Sequence, residues 1–169
     1  MSCTADSIEI VPITVAQWGD LKRLRIAALT EAPDSFSPTA EEARSHDDAY
    51  WQRGAKRAAE AEGFEMFIVR RGGEGMGLAS AQRDVADVGH IGAMWVDPSL
   101  RGRGVGARLF DAAVGHLRKL GCDTIELSVT ETNAAAIALY QSRGFVLTGE
   151  SEPLRASSPL LNLFMRWTR

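Results

Sequence analysis

The residues best suited to chemistry stand together in mid-chain. Trp95-Val96-Asp97-Pro98-Ser99-Leu100-Arg101-Gly102-Arg103-Gly104-Val105-Gly106 joins an apolar run to an amphipathic one through a proline turn and a glycine run flanked by arginines. Glycines on alternate residues let a backbone approach an anion closely. The N–H groups left unpaired at the start of the helix that follows, with its dipole, favour negative charge. Arg101 and Arg103 add charge of the complementary sign, and the turn lies between a strand's carboxyl end and a helix's N-terminus, where α/β proteins take ligands. The chemistry this spacing offers is the holding of a phosphate. A turn that merely connects strand to helix would need neither arginine. Two other phosphate devices fit less well. Gly102-x-Gly104-x-x-Ala107, with Glu126 about 20 residues on, satisfies the short dinucleotide fingerprint. That fingerprint follows its strand tightly, whereas residues 97–101 intervene here, and too little chain follows for a dinucleotide fold. A P-loop requires Gly-Lys-Ser or Gly-Lys-Thr, and neither occurs.

The elements that must position this cradle can be read from periodicity. Residues 8–11 form a short strand, and Thr14-Val15-Ala16-Gln17 is a capping box, with Ile13 and Trp18 placed as its staple. The helix it opens keeps its period through Leu21, Leu24, Arg25, Ala28 and Leu29 until Pro33, and residues 32–38 break it. Residues 39–61, charged and alanine-rich with Tyr50 and Trp51 as aromatic anchors, predict one further, more exposed helix. Residues 64–71 and 76–83 are strands joined by Gly72-Gly73-Glu74-Gly75 in an antiparallel hairpin, and residues 90–96 are a third strand. From Val105 to Leu120 apolar residues recur at helical spacing and Gly121 ends the helix. Residues 124–130 alternate, with Ile125, Leu127 and Val129 on one side and Thr124, Glu126, Ser128 and Thr130 on the other. Asn133 caps a short helix over 134–142 that Gly144 closes. Strands are expected at 145–147 and 160–167, with a polar surface loop over 149–159 between them.

The whole chain narrows the class further. Its 169 residues suit a single domain, 1–169, with a real core. Hydrophobic residues at 45% and charged residues at 24% are ordinary globular values. A net charge of −3 gives no global attraction to nucleic acid or to a membrane surface, so any basic site is local. Asp6 and Glu9 stand where a secretion signal would be basic and then apolar, and no segment has the length to span a bilayer. Cys3 and Cys122 make neither a disulfide framework nor a metal pattern, and His46, His90 and His116 are too scattered for zinc. A cytoplasmic protein without a metal is the expectation, with Cys122 a small buried apolar residue.

Arg101-x-x-Gly104-x-Gly106, preceded by Trp95-Val96-Asp97-Pro98, resembles the acetyl-CoA signature of the GNAT superfamily of N-acetyltransferases. A second block follows in register: Asn133-Ala134-Ala135-Ala136-Ile137-Ala138-Leu139-Tyr140-Gln141-Ser142-Arg143-Gly144-Phe145 is similar to the family's downstream motif, with its asparagine, tyrosine and closing Gly-Phe. The resemblance covers residues 89–145 well. It implies an α/β (α+β) fold of the GNAT type: a mixed, mostly antiparallel sheet of about seven strands flanked by about four helices. Within it the strands at 90–96 and 124–129 run parallel and splay apart, and the cofactor, acetyl-CoA, would occupy the gap. Backbone groups of Met94 and Val96 would pair with the pantetheine arm beside Trp95. The N–H groups of Arg101, Gly102, Arg103, Gly104, Val105, Gly106 and Ala107 would hold the pyrophosphate.

The family's chemistry is direct attack of an amine on the thioester, which requires a base, an oxyanion donor and an acid for the leaving thiolate. Tyr140 resembles the general acid, and a phenol with an ordinary pKa near 10 stays protonated at neutral pH. Its alternative is a core aromatic. Asn133 would contact the cofactor arm or cap its helix, and the Val96 N–H would meet the oxyanion. For the base, Glu126 on the polar side of a central strand and His90 at the start of the splayed strand are candidates, each equally able to be an ordinary polar residue. Water is a third route. Phe36, Tyr50 and Trp51 could line the acceptor pocket or anchor the first helices. No acidic run marks a polycationic acceptor. The reading is therefore an N-acetyltransferase acting on a primary amine of a small molecule. Acetylation of a protein or peptide is the same-chemistry alternative, a CoA-binding sensor without turnover is another, and a homodimer through a C-terminal strand is common among similar proteins.

Overall fold

A computed structural model describes residues 7–169, so the expectations for Cys3 and Asp6 lie outside the described residues. Seven strands, β1 (Ile8–Pro12), β2 (Phe64–Arg71), β3 (Glu74–Arg83), β4 (Val88–Val96), β5 (Thr124–Thr130), β6 (Val146–Pro153) and β7 (Leu161–Thr168), form one sheet in the order β1-β2-β3-β4-β5-β7-β6. Every neighbouring pair is antiparallel except β4 and β5. The β2–β3 hairpin turns on Gly72 and Gly73, whose φ values of 58° and 90° give the left-handed pair such a turn demands.

The helices are α1 (Trp18–Glu31), α2 (Ala40–Ser45), α3 (Asp48–Glu60), α4 (Val105–Lys119) and α5 (Ala134–Ser142). They cover both faces of the sheet. Leu109, Phe110, Ala113 and Leu117 of α4 pack with Tyr140 of α5 on Ile125, Leu127 and Val129 of β5. On the opposite face Leu21, Leu24, Ala28 and Leu29 of α1 and Trp51, Ala55 and Ala58 of α3 pack on Met66, Ile68, Leu78 and Trp95. The alternation read in β5 holds through Val129, with Ile125, Leu127 and Val129 buried, and fails at Thr130, which is buried as well.

Two expectations need correction. The single helix over 39–61 is two, because Thr39 and Asp47 cap separate starts: the Glu42 N–H donates to Thr39 Oγ1 at 3.2 Å and the Tyr50 N–H to Asp47 Oδ1 at 2.8 Å. The described residues thus hold five α-helices. The strand expected at 145–147 runs to Pro153, leaving only residues 154–160 as loop. A register shift between Leu147 and Ser151, with Gly149 at φ 86°, lets a strand rich in polar residues keep its pairing to β7.

One irregularity parts the sheet. Between the pairs Leu78↔Trp95 and Ser80↔Gly92, β3 has one residue and β4 has two, Ala93 and Met94, with Ala93 at φ 53°. A non-glycine residue in this region is strained and marks a bulge that bends its strand. Parallel pairing of β4 with β5 ends at His90↔Glu126, just before that bulge.

Candidate active site

Beyond His90 the two parallel strands diverge, and the opening is a groove with two halves. The outer half, about 580 Å³, is lined by Met94, Trp95 and Val96 of β4, by the cradle and by α5. The inner half, about 200 Å³, runs beneath the bulge between Ile91–Met94 and Leu127–Val129. Ser35, Phe36, Met94, Asn133 and Tyr140 line both halves.

The cradle fits an anion on observations independent of any motif. Gly102 and Gly104 have φ values of 72° and 73°, Gly104 serving as the N-cap of α4, so their lack of a side chain is a backbone requirement. Gly106 differs. It lies in the first turn of α4 with helical backbone, and a Cβ added there would meet no atom within 4 Å. Neither conformation nor protein packing calls for glycine at 106, which leaves room for something outside the chain. The first N–H groups of α4 point toward that room.

Arg101 is placed otherwise than its sequence position suggests. Its Nε donates to the Val96 carbonyl at 3.0 Å, and its Nη1 and Nη2 donate to the two carboxylate oxygens of Glu31 at 3.1 and 2.6 Å. Glu31 also accepts the Trp95 indole N–H at 3.0 Å. The Arg101 and Trp95 hydrogen bonds hold the Glu31 carboxyl below its ordinary pKa. Arg101 thereby fastens the end of β4 to α1, and its charge is already matched. Asp97 fixes the turn before it, accepting from the Ser99 N–H at 2.9 Å and the Ser99 hydroxyl at 2.6 Å. Arg103 does not line the groove.

Val96 faces the opening. The Asp97 N–H donates to the Met76 carbonyl of β3 at 2.8 Å, so by strand alternation the peptide groups of Val96 turn from β3 toward the gap. Tyr140 is 6% exposed, its ring 4.7 Å from that of Phe110, and burial pushes its hydroxyl up to about 12. Asn133 caps α5, its Oδ1 accepting from the Ala136 N–H at 3.2 Å, while also lining the groove.

The two candidate bases are elsewhere. Glu126 is held by Arg166 of β7, its cross-strand partner, at 2.7 Å. His90 Nε2 is 2.7 Å from Asp84 Oδ2. Neither residue lines either half of the groove. Of the aromatics expected around an acceptor, Phe36 lines both halves. Tyr50 and Trp51 instead wall a separate pocket of about 400 Å³ between α1, α2, α3 and β2, where Tyr50 stacks on His46 at 3.7 Å. Cys122 is buried, which pushes its thiol up. Among the described residues no helix is long and apolar enough to cross a membrane.

Sequence reasoning passed over Glu31, Arg25 and Asn162. Glu31 sits at a helix end with no local mark. Arg25 carried a signal in plain view, a charged residue at an apolar position of the α1 period.

A sheet parted at one parallel pair by a bulge, with a glycine-opened helix start at the mouth of the opening, defines a distinct class of mixed α/β protein. The family model of the acetyltransferase (GNAT) family matches residues 26–145, and the chain belongs to that family. It is 34% identical over 128 residues to a mycothiol acetyltransferase of Thermobispora bispora, covering 72% of this chain and 40% of that protein. A second, from Beutenbergia cavernae, is 34% identical over 124 residues, 72% of this chain and 39% of the relative. The chain spans about two fifths of the length of these curated relatives. Among solved structures, a GNAT-family acetyltransferase from Streptococcus pneumoniae superposes with a TM-score of 0.83 at 17% identity, covering 96% of this chain and 99% of that one. An N-acetyltransferase from Thermoplasma acidophilum in complex with coenzyme A does so with 0.74 at 15%, covering 96% and 99%. At these identities the likeness is one of fold.

Proposed function

We propose that the protein is an acetyl-CoA-dependent N-acetyltransferase that passes an acetyl group to a primary amine of a small molecule by direct attack in a ternary complex. The observation that carries the reading is the meeting of the cradle, the parted strands and Tyr140 in one groove. The names of the relatives and the coenzyme A complex of a structural neighbour support it.

The thioester supplies an activated acyl group, and the chain's residues do the rest. Gly102, Gly104, Gly106 and the first N–H groups of α4 receive the pyrophosphate. The outward peptide groups of Met94 and Val96 take the pantetheine arm as an added strand would, and the Val96 N–H is the donor for the oxyanion. Tyr140, kept neutral by its burial, gives its proton to the departing thiolate. Asn133 holds α5 in place so that Tyr140 faces the groove. The test is thiol release from acetyl-CoA across a broad panel of small amines. Release that is stoichiometric with acetylated amine supports the reading, and tight acetyl-CoA binding with no turnover on any amine overturns it in favour of a CoA sensor.

A further inference from the structure

The inner half of the groove has one charged wall, Arg25. Its position is unfavourable on its face. Residue 25 lies on the inward stripe of α1, beside Leu21, Leu24, Ala28 and Leu29, all at or below 5% exposure. Its Nη1 is buried with no hydrogen-bond partner, and burial pulls its pKa below the ordinary value. Arg23, Arg101, Arg143, Arg155 and Arg166 each hold a carboxylate. Arg25 holds none among the described residues. Its guanidinium lies over the Phe36 ring at 4.9 Å, a contact that satisfies none of its donors, Nη1 included.

The surroundings reinforce that charge. Ser35, Ser37, Ser128 and Asn162 supply hydroxyl and amide groups around the inner groove, and no carboxylate lines it. The Asn162 amide donates to the Ser37 hydroxyl at 3.3 Å, holding the far wall. Behind Arg25, the pocket of α1, α2 and α3 shares Arg25 as a wall and adds Arg53 and Arg57 against the single carboxylate of Glu42. The one charged side chain on the wall of the inner groove is therefore a cation, with further arginines behind it. A guanidinium so placed is matched by a planar bidentate oxyanion and repels a polycation.

We propose that Arg25 is a specificity-determining residue whose guanidinium takes the carboxylate of the acceptor, so that the substrates are primary amines bearing a carboxylate, of the amino-acid type. The proposal rests on the acetyl-transfer reading of the groove. A polyamine or aminoglycoside, which carries only positive charge, would place an ammonium against Arg25 with nothing to offset it.

The test uses matched pairs of acceptors, each free amino acid with its own carboxamide, and spermidine as the polycation, with thiol release as the readout. The free acids should exceed their amides at least tenfold in kcat/KM, and spermidine should be inert. Arg25→Met should lower kcat/KM for the free acids at least thirtyfold, mainly through KM, and change that for the amides less than threefold. Arg25→Lys should recover part of the loss. Removing an unpaired buried charge leaves the fold intact, so the melting temperature of Arg25→Met should not fall below that of the parent. Preference for amides or spermidine, or equal losses on acid and amide, would overturn the proposal. The underlying reading is judged separately by thermal shift with free amino acids in the presence of coenzyme A. Stabilisation of the parent and not of Arg25→Met, without thiol release from any amine, would retain the carboxylate site and reject acetyl transfer. Neither release nor stabilisation would reject both.

Discussion

Gly106 and Gly115 are both helical positions of α4, and a Cβ at either meets no protein atom within 4 Å. Leucine is close to alanine in helix propensity, and glycine is about 0.8–1.0 kcal/mol worse than alanine within a helix. Gly115→Leu should therefore stabilise by nearly that amount, a rise in Tm of about 2–4 °C for a chain of this size. Gly106→Leu, in the first turn, should gain about half as much. Their effects on the donor should diverge. A leucine at 106 enters the outer groove, whose volume is about 580 Å³, where on the proposed reading the first N–H groups of α4 receive the pyrophosphate. Each charge-assisted hydrogen bond lost costs about 1.5–3 kcal/mol, so displacing two should weaken acetyl-CoA at least about a hundredfold. Differential scanning calorimetry and isothermal titration with acetyl-CoA read both quantities. If Gly106→Leu is stabilised and binds acetyl-CoA within threefold of Gly115→Leu, the helix start is not where the phosphates sit and the reasoning fails.

Tyr140→Phe should lower kcat by about a hundredfold or more while leaving the acetyl-CoA dissociation constant within a fewfold; equal losses in both would make Tyr140 a packing residue. The same hydroxyl predicts alkaline behaviour: its pKa in the folded chain, about 12, exceeds its ordinary 10.0, so the stability it confers is complete below pH 10 and is lost as pH rises toward 12. Up to about 2.7 kcal/mol should disappear across that window, and Tyr140→Phe should flatten the loss seen in urea melts. Glu31→Gln should raise KM for acetyl-CoA several-fold with kcat unchanged, because it loosens Arg101 and Trp95 at the end of β4. Glu31 is depressed in the fold, so its contribution is present above its ordinary 4.5 and disappears as pH falls through its lower folded value; being partly exposed, it is worth under about 1 kcal/mol. Ala93→Val, which puts a β-branched residue at φ 53°, should destabilise by about 2 kcal/mol and reduce kcat, and an unchanged Tm would mean that the bulge is not strained.

Much of this arrangement was legible because local rules and global fold agree. The glycine run, the helix after it, the capping box Thr14–Gln17 and the Asn133 cap are all set by nearest neighbours. What stayed hidden depended on distant ones. The three glycines read alike in sequence, yet Gly102 and Gly104 answer to backbone conformation and Gly106 to open space. Alternation put Glu126 on the correct side of β5, but only the register with β7, 40 residues away, sets Arg166 against it. Ala93 leaves no trace of its bulge, since alanine has no preference for positive φ; the parting of the strands came from family resemblance alone. Tyr50 and Trp51 were read as one patch with Phe36, and the break between α2 and α3 turns them into a different pocket. Arg25 stands at an apolar position of the α1 period, a breach passed over as one more helical residue, and such breaches concentrate where function outweighs stability.

The placement of the charges also decides how the amine loses its proton. The inner groove is lined by no carboxylate and no imidazole; Asp34, which lines the outer half, lies 3.5 Å from Arg155, and Glu31 is tied to Arg101. Glu126 and His90 each hold a partner away from the groove. On the proposed reading, with no carboxylate or imidazole lining the inner half, deprotonation falls to water, and the reactive species is the small fraction of amine already neutral. kcat/KM should then rise about tenfold per pH unit from pH 6 and level off near the pKa of the acceptor's own amine, shifting when an acceptor of different basicity is used. Glu126→Gln and His90→Gln should leave that profile in place. A profile that levels off at the same pH for acceptors of different basicity, and moves in either variant, would instead place a protein base in the transfer and require Glu126 or His90 to leave its partner.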